Sequence, residues 1–244
     1  MKTRLIGVGG GSGSGKTTVA VKIHEHYKND SVIISCDNYY KDLSHLSVEE
    51  RAKVNFDHPD SIDFELFAEQ LKKLKNGESV DIPTYDFNTH SKASKTIHID
   101  PKPMIIVEGI LVLHSNELAP ILDIKIYVKA PITKCLSRRI LRDVNERGRT
   151  ENSVLQQYEA TVKPMFDLFV KPTSKNAHLV IDNALDTKSL DVTPVIKFIH
   201  QPKNEICSTR TKICLTKTSA TLYYTARNTA QQNDALSSNK LRLK

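Results

Sequence analysis

The sequence predicts an α/β fold with a doubly wound parallel sheet, on three observations. Short apolar runs such as Val32–Ser35, Met104–Val107 and Ile124–Val128 have the length and composition of strands buried on both faces. They alternate along the chain with stretches of helical period, and that alternation produces parallel sheets. The glycines are concentrated: six of the nine lie between Gly7 and Gly15, directly after the first apolar run.

Taken in order, Leu5–Gly9 reads as a buried strand entering a glycine loop. Residues 15–28 follow with Val19, Ile23 and Tyr27 at helical spacing, and Val32–Ser35 is the second strand. Residues 63–76 form an amphipathic helix carrying Phe64, Phe67, Leu71 and Leu74 on one face, stopped by Gly77. Val80–Phe87 and Thr96–Ile99 lack a helical period and read as a small β-hairpin flap. Met104–Val107 is a wholly apolar strand ending in Glu108-Gly109, and Ile124–Val128 is another. A basic helix is expected from Pro131 to Glu146 and a second from Asn152 to Phe169. His178–Ile181 is the last strand, with a closing helix over 191–200. No internal repeat is present.

The chain has 244 residues and a net charge of +7, and the charge is unevenly placed. Residues 201–244 carry +6, leaving +1 for residues 1–200, so the body is nearly neutral. The last 44 residues hold eleven Ser/Thr and no glycine, with no sustained period beyond a strand over Ile213–Tyr224. The expectation is one domain over 1–200 and a basic extension over 201–244, disordered or loosely attached. No run approaches the roughly 18 apolar residues of a membrane span. Lys2 and Arg4 are followed by glycine where an export signal needs an apolar stretch. Cys36, Cys135, Cys207 and Cys214 show neither a CxxC pair nor metal-site spacing. A cytoplasmic protein with reduced thiols is the expectation.

Gly10-Gly11-Ser12-Gly13-Ser14-Gly15-Lys16-Thr17 satisfies G-x-x-x-x-G-K-[ST], and Thr18 follows it. The octet sits after a strand and before a helix, the context in which backbone N–H groups and a helix N-terminus cradle a polyphosphate. Lys16 reaches the β- and γ-phosphates in such a loop, and the Thr17 hydroxyl ligates Mg²⁺. The fold expectation is therefore a P-loop NTPase.

Two carboxylates end strands on the sheet edge where α/β proteins bind ligands. Asp37 follows the second strand, and position alone leaves it two readings, a base for an acceptor hydroxyl or a loop-capping aspartate. Glu108 ends the Met104–Val107 strand where a Walker B acid holds Mg²⁺, or is simply a surface residue at a strand end. Arg138, Arg139, Arg142, Arg147 and Arg149 crowd one helix and the turn after it. They read either as a helical arginine lid closing on phosphate or as a solvated basic face.

Together with Asp37–Asp42, Asn55–Pro59, Ile82–Phe87, Ile106–Leu111, Arg138–Asp143 and Glu146–Arg149, the glycine loop resembles the uridine kinase (uridine–cytidine kinase) family, in the family's order and spacing over roughly residues 4–200. The resemblance implies transfer of the γ-phosphoryl group of ATP or GTP to the 5′-hydroxyl of uridine or cytidine. It implies Asp37 as catalytic base, with Lys16, Arg142 and Arg147 meeting the phosphates and Thr17 and Glu108 holding Mg²⁺. Asp57, Tyr85, His90, Arg139, Arg149 and Gln157 match nucleoside-binding positions, with Tyr40 and Phe87 near them. Asp186 matches a position contacting the donor nucleotide.

Those implied roles suit the chemistry. A carboxylate at Asp57 can accept from two ribose hydroxyls. Tyr85 and Phe87 are expected to sandwich a pyrimidine, and His90 to hydrogen-bond its exocyclic group at C4. The chain departs from the family pattern at Lys92, at Ile126–Pro131 and at Asp182–Leu185. The family also implies a homo-oligomer, a tetramer. Competing readings are another small-molecule kinase, phosphoribulokinase-like or pantothenate kinase-like, and a nucleic-acid binder acting through the basic tail. The Phe56–Pro59 and Tyr85–His90 segments favour a nucleoside over a sugar phosphate, and the tail carries only Tyr223 and Tyr224 as stacking residues.

Overall fold

The computed structural model describes residues 3–51, 53–87, 89–184, 190–215 and 220–226. Strand β1 (Arg4–Gly10) runs into the glycine loop and helix α1 (Lys16–Tyr27), and β2 (Ser31–Ser35) follows. A single helical turn, α2 (Val48–Arg51), precedes α3 (Phe64–Lys75). Asp63 starts α3 by accepting a hydrogen bond from the Leu66 amide at 3.1 Å, satisfying one of its free N–H groups. Strands β3 (Val80–Asp86) and β4 (Ser91–Ile99) form a separate antiparallel hairpin. Its second strand begins five residues before the expected Thr96. Residues 93–98 are exposed, so no apolar alternation marks them in the sequence.

The remaining strands are β5 (Met104–Glu108), β6 (Ile124–Lys129), β7 (Leu179–Asp182), β8 (Thr209–Leu215) and β9 (Ala220–Ala226). Their order across the main sheet is β2-β5-β1-β6-β7-β8-β9; the first six are parallel and β9 returns antiparallel on β8. β5 is buried at every residue, as its uninterrupted apolar run requires. Strand order changes direction beside β1, so the loops after β1, β2 and β5 open a crevice at the carboxyl edge.

Alternation along β1 supplies both cores. Leu5 packs with Ile105, Val107 and the Phe67, Leu71 and Leu74 stripe of α3. Ile6 and Val8 face the other way, onto Val19 and Ile23 of α1 and Phe198 and Ile199 of a later helix. Helices thus cover both faces, as predicted.

Between β6 and β7 lie α4 (Ile132–Arg147) and a second helix that begins as α5 (Glu151–Gln157). The second helix continues to Val170 through two wide π turns, Tyr158–Val162 and Phe166–Val170, with α6 (Lys163–Met165) between them. Past β7 the chain forms α7 (Thr193–Ile199) and α8 (Lys203–Ser208). No helix among the described residues is long and apolar enough to cross a membrane.

The expected loose extension after residue 200 does not hold for its first part. β8 pairs in parallel with β7 from Thr211 to Cys214, and Ile206 and Ile213 are fully buried in the core that α1 and α7 share. Two strands take the place of the single strand expected over 213–224. Residues 227–244 lie outside the described residues. Replacing Ile213 by Ala is expected to lower the unfolding free energy by about 3 kcal/mol, the usual cost of a cavity in a closed core. Denaturant unfolding measures it; a change within 0.5 kcal/mol would return these strands to the status of an appendage.

Candidate active site

β1 delivers the chain into the loop at Gly10, and Gly11–Gly15 turn it back into α1. The Ser14 amide donates to Gly11 O at 3.0 Å, and Gly15, in the left-handed region at φ 93°, caps the helix. Gly13 has φ 76°, and a methyl there would run into the carbonyl of Cys135 in the first turns of α4. Glycine is needed there for backbone angle and for space. Buried Asn183, just past β7, donates from Nδ2 to Ser14 O at 2.8 Å and pins the loop from behind. Lys16, Thr17 and Thr18 form the first turn of α1, and the loop N–H groups together with that helix end make an anion cradle.

Glu108 ends β5 beside this turn, 7% exposed. Both its oxygens are engaged: Thr17 Oγ1 donates to Oε2 at 3.1 Å and Ser35 Oγ to Oε1 at 3.0 Å. Burial holds its carboxyl above the ordinary range, opposed by the Lys16 ammonium. A carboxylate and two hydroxyls form an all-oxygen donor set, which suits a hard divalent cation such as Mg²⁺. Asp37 stands at the carboxyl edge of β2, in a tight turn whose amide donates to Ser35 Oγ at 3.3 Å.

Asp37 and Lys16 share one cavity of about 330 Å³ with the predicted nucleoside-binding and arginine positions, whereas Thr17 and Glu108 are not among its lining residues. Tyr40, Asp57, Tyr85, Phe87, His90, Arg139, Arg149 and Gln157 line it, as do Ser12, Arg142 and Arg147. Asp57 is 8% exposed, and burial pushes its carboxyl above the ordinary range, with Arg139 pulling it back. The Tyr85 hydroxyl is buried without a hydrogen-bond partner among the described residues. His90 has φ 49°, and burial with Arg149 and Arg147 lowers its pKa, so its imidazole is neutral at pH 7. Asp186 lies outside the described residues.

The expected sandwich between Tyr85 and Phe87 is not built. Their rings lie 5.3 Å apart at 77°, edge to face. The two residues are i and i+2 on β3 and its extension, so they project from one face and cannot oppose each other across a gap. The parallel pair is Phe56 and His90, 5.1 Å apart at 14°. Arg147 lies over the Phe87 ring at 4.3 Å.

Sequence reasoning missed contributors of three kinds. Phe56 and Ile110 also line the cavity. Arg51 gathers the carbonyls of Leu43, Ser44, Leu46 and Thr89, joining the segment before α3 to the hairpin. The third is Asp143, fully buried among Arg139, Arg142, Arg147 and Arg149. Its sequence signal is the i,i+4 spacing from Arg139 and to Arg147, which in a highly charged helix looks like a surface ion pair.

The buried Asp57 carboxyl gives a stability prediction. Its folded pKa is raised, so the folded chain holds the proton to higher pH than the unfolded chain does. The cost of ionising it is absent below the unfolded carboxylate range, about 4, and grows as pH rises through the folded value. Asp57→Asn should therefore raise the melting temperature by about 2 °C or more at pH 8, and by less at pH 4. Calorimetry at both pH values checks this; equal shifts, or a loss at pH 8, would refute it.

The sequence model described as the phosphoribulokinase / uridine kinase family matches residues 5–189. A uridine kinase of Macrococcus caseolyticus (strain JCSC5402) is 48% identical over 181 residues, 74% of this chain and 88% of that one. A uridine kinase of Streptococcus gordonii is 45% identical over 204 residues, 82% and 97% of the two chains. Among solved structures, the phosphoribulokinase from Rhodobacter spheroides superposes with a TM-score of 0.58 at 16% identity, covering 76% of this chain and 72% of that one, a likeness of fold. The matches place the chain among phosphotransferases with an alcohol acceptor. With a family model matched over residues 5–189 and relatives at 45–48% identity, this chain belongs to the phosphoribulokinase / uridine kinase family.

Proposed function

We propose that this chain transfers the γ-phosphoryl group of ATP or GTP to the 5′-hydroxyl of uridine or cytidine, giving UMP or CMP, a reaction that salvages pyrimidine nucleosides. The observation that carries the reading is the single cavity that brings Asp37 and Lys16 together with the lid arginines and the aromatic flap. Its size is that of a small-ligand site.

In this reading Asp37 orients the 5′-hydroxyl and accepts its proton as the new bond to the γ-phosphorus forms and the bond from that phosphorus to the β,γ-bridging oxygen breaks, releasing ADP or GDP. The loop amides, Lys16, Arg142 and Arg147 hold the polyphosphate and meet the charge on the transferred group. Thr17 and Glu108 would hold Mg²⁺, which would supply neutralisation of the phosphate charge. Asp57 accepts from the ribose hydroxyls, and Arg139, Arg149 and Gln157 frame the nucleoside. The base rests against one aromatic face, with the unpaired Tyr85 hydroxyl available to it. Tyr40 backs that ring at 4.9 Å. Asp186, GTP as donor, a homotetramer and a cytoplasmic location belong to this reading through the family resemblance.

A neutral His90 offers one donor and one acceptor, so it can meet either O4 of uracil or the amino group of cytosine. Protonated, it can only donate. The His90 pKa is lowered, so the change falls below the ordinary value of about 6.5. The ratio of kcat/KM for cytidine to that for uridine should fall as pH drops from 7.5 to 5.5; a flat ratio removes His90 from base recognition.

The central test is turnover of the purified chain with Mg·ATP against uridine, cytidine, adenosine, ribulose 5-phosphate and pantothenate. Turnover confined to the two pyrimidine nucleosides is expected. Asp37→Asn should then lower kcat by about 100-fold or more, and a near-normal kcat would remove the base assignment.

A further inference from the structure

The arginine cluster has an organising centre that the predicted roles do not include. Asp143 is 0% exposed, on the α4 face that carries Arg139 one turn before it and Arg147 one turn after it. Its Oδ1 receives Arg142 Nη2 at 2.8 Å and Nε at 2.9 Å, and lies 3.7 Å from Arg147. Its Oδ2 lies 3.5 Å from Arg139 Nε and 4.0 Å from Arg149, without a hydrogen bond of ordinary geometry. One carboxylate therefore faces four guanidiniums and acts on three of them chiefly through its charge.

Three of the four guanidiniums also have a second anchor, and the anchors belong to different parts of the site. Arg139 Nη1 donates to Ser12 Oγ of the glycine loop at 2.9 Å, and its Nη2 donates to Gln157 at 2.9 Å. Arg149 donates to the same Gln157 oxygen and, at 3.0 Å, to Ser153 O. Arg147 covers Phe87 of the flap. The backbone repeats the arrangement: the Gly148 and Arg149 amides both close on Asp143 O, so the turn carrying Arg149 is fixed to the same residue.

We propose that Asp143 is a positioning residue for phosphoryl transfer: it fixes the lid guanidiniums to one another, so that the glycine loop on the donor side and the flap on the acceptor side are held in one geometry. This rests on the kinase reading above. The cluster keeps an excess of three positive charges, which the phosphates complete. Removing the carboxylate charge makes the site more positive while releasing the arginines from their common centre. Ground-state attraction for polyanions is thus kept or strengthened as the reacting geometry is lost. A merely structural role would weaken both together.

The test uses full-length wild type and Asp143→Asn, with kcat on uridine measured beside calorimetric binding of Mg²⁺-free tripolyphosphate. The expected result is a kcat lower by about 100-fold, the scale of a displacement near 1 Å, with tripolyphosphate bound as tightly as by wild type or more so. A wild-type kcat overturns the proposal, and so does a joint loss of kcat and tripolyphosphate affinity. Should the Asn variant fail to fold, Asp143→Glu keeps the charge and shifts it by one methylene. A kcat loss of tenfold or more with unchanged melting temperature and tripolyphosphate affinity then supports the proposal, and wild-type kcat overturns it. If the wild type is silent on uridine the acceptor reading fails by itself, and slow Mg·ATP hydrolysis by the same proteins reads the lid.

Discussion

The site depends on a close approach of backbones. The loop after β1 lies flush against its surroundings at three glycines: Gly10 against the Val128 carbonyl, Gly11 against the Phe166 ring and Gly13 against the Cys135 carbonyl. No side chain fits at those contacts. The approach fixes α4 and the following helix relative to the phosphate cradle, so the arginines start from a defined distance. β1 is buried on both faces and paired on both sides, which makes it a rigid support for that loop. Sites built on such elements hold their geometry better than sites on free loops.

Electrostatics supplies the second constraint. The cavity sets Lys16 and four guanidiniums against the carboxylates of Asp37 and Asp57, with Asp143 behind them. Asp57 and Glu108 are buried with raised pKa values, and buried Arg139 and half-buried Arg147 have lowered ones. Each of these groups is desolvated at a cost. Perturbed titratable groups gathered in one cleft mark a binding site more often than a stabilising network.

Most of the framework could be read from residues because its signals are local. Apolar runs, the α3 stripe and the loop octet each lie within a dozen residues, and their boundaries fall within two or three residues of those expected. What could not be read depends on partners distant in the chain. The strand over Thr209–Leu215 is Ser/Thr- and Lys-bearing and shows itself only once β7 offers an edge. Asp143 carries no mark of burial in a helix full of charges. The aromatic sandwich failed because composition names the rings but only strand geometry says that Tyr85 and Phe87 point the same way. Phe56, which stacks on His90, sits in an irregular segment with no period.

The first π turn, Tyr158–Val162, has a consequence for how the helix after α4 meets the glycine loop. Gln157 and Phe166 are nine residues apart, about two and a half turns of an α-helix, which would put them on opposite faces. Yet Gln157 engages Arg139, which itself holds Ser12, while Phe166 packs on Gly11 of the same loop. The wide turn over Tyr158–Val162 lies between them, unwinds part of that angle and brings both side chains toward one target. The helix is therefore phased like a key with two teeth, and its register is set by surplus residues that regular winding would eject. Rewinding the same residues as a plain α-helix would rotate one tooth away from the lock, whereas deleting the surplus residue of Tyr158–Val162 would keep both teeth in phase.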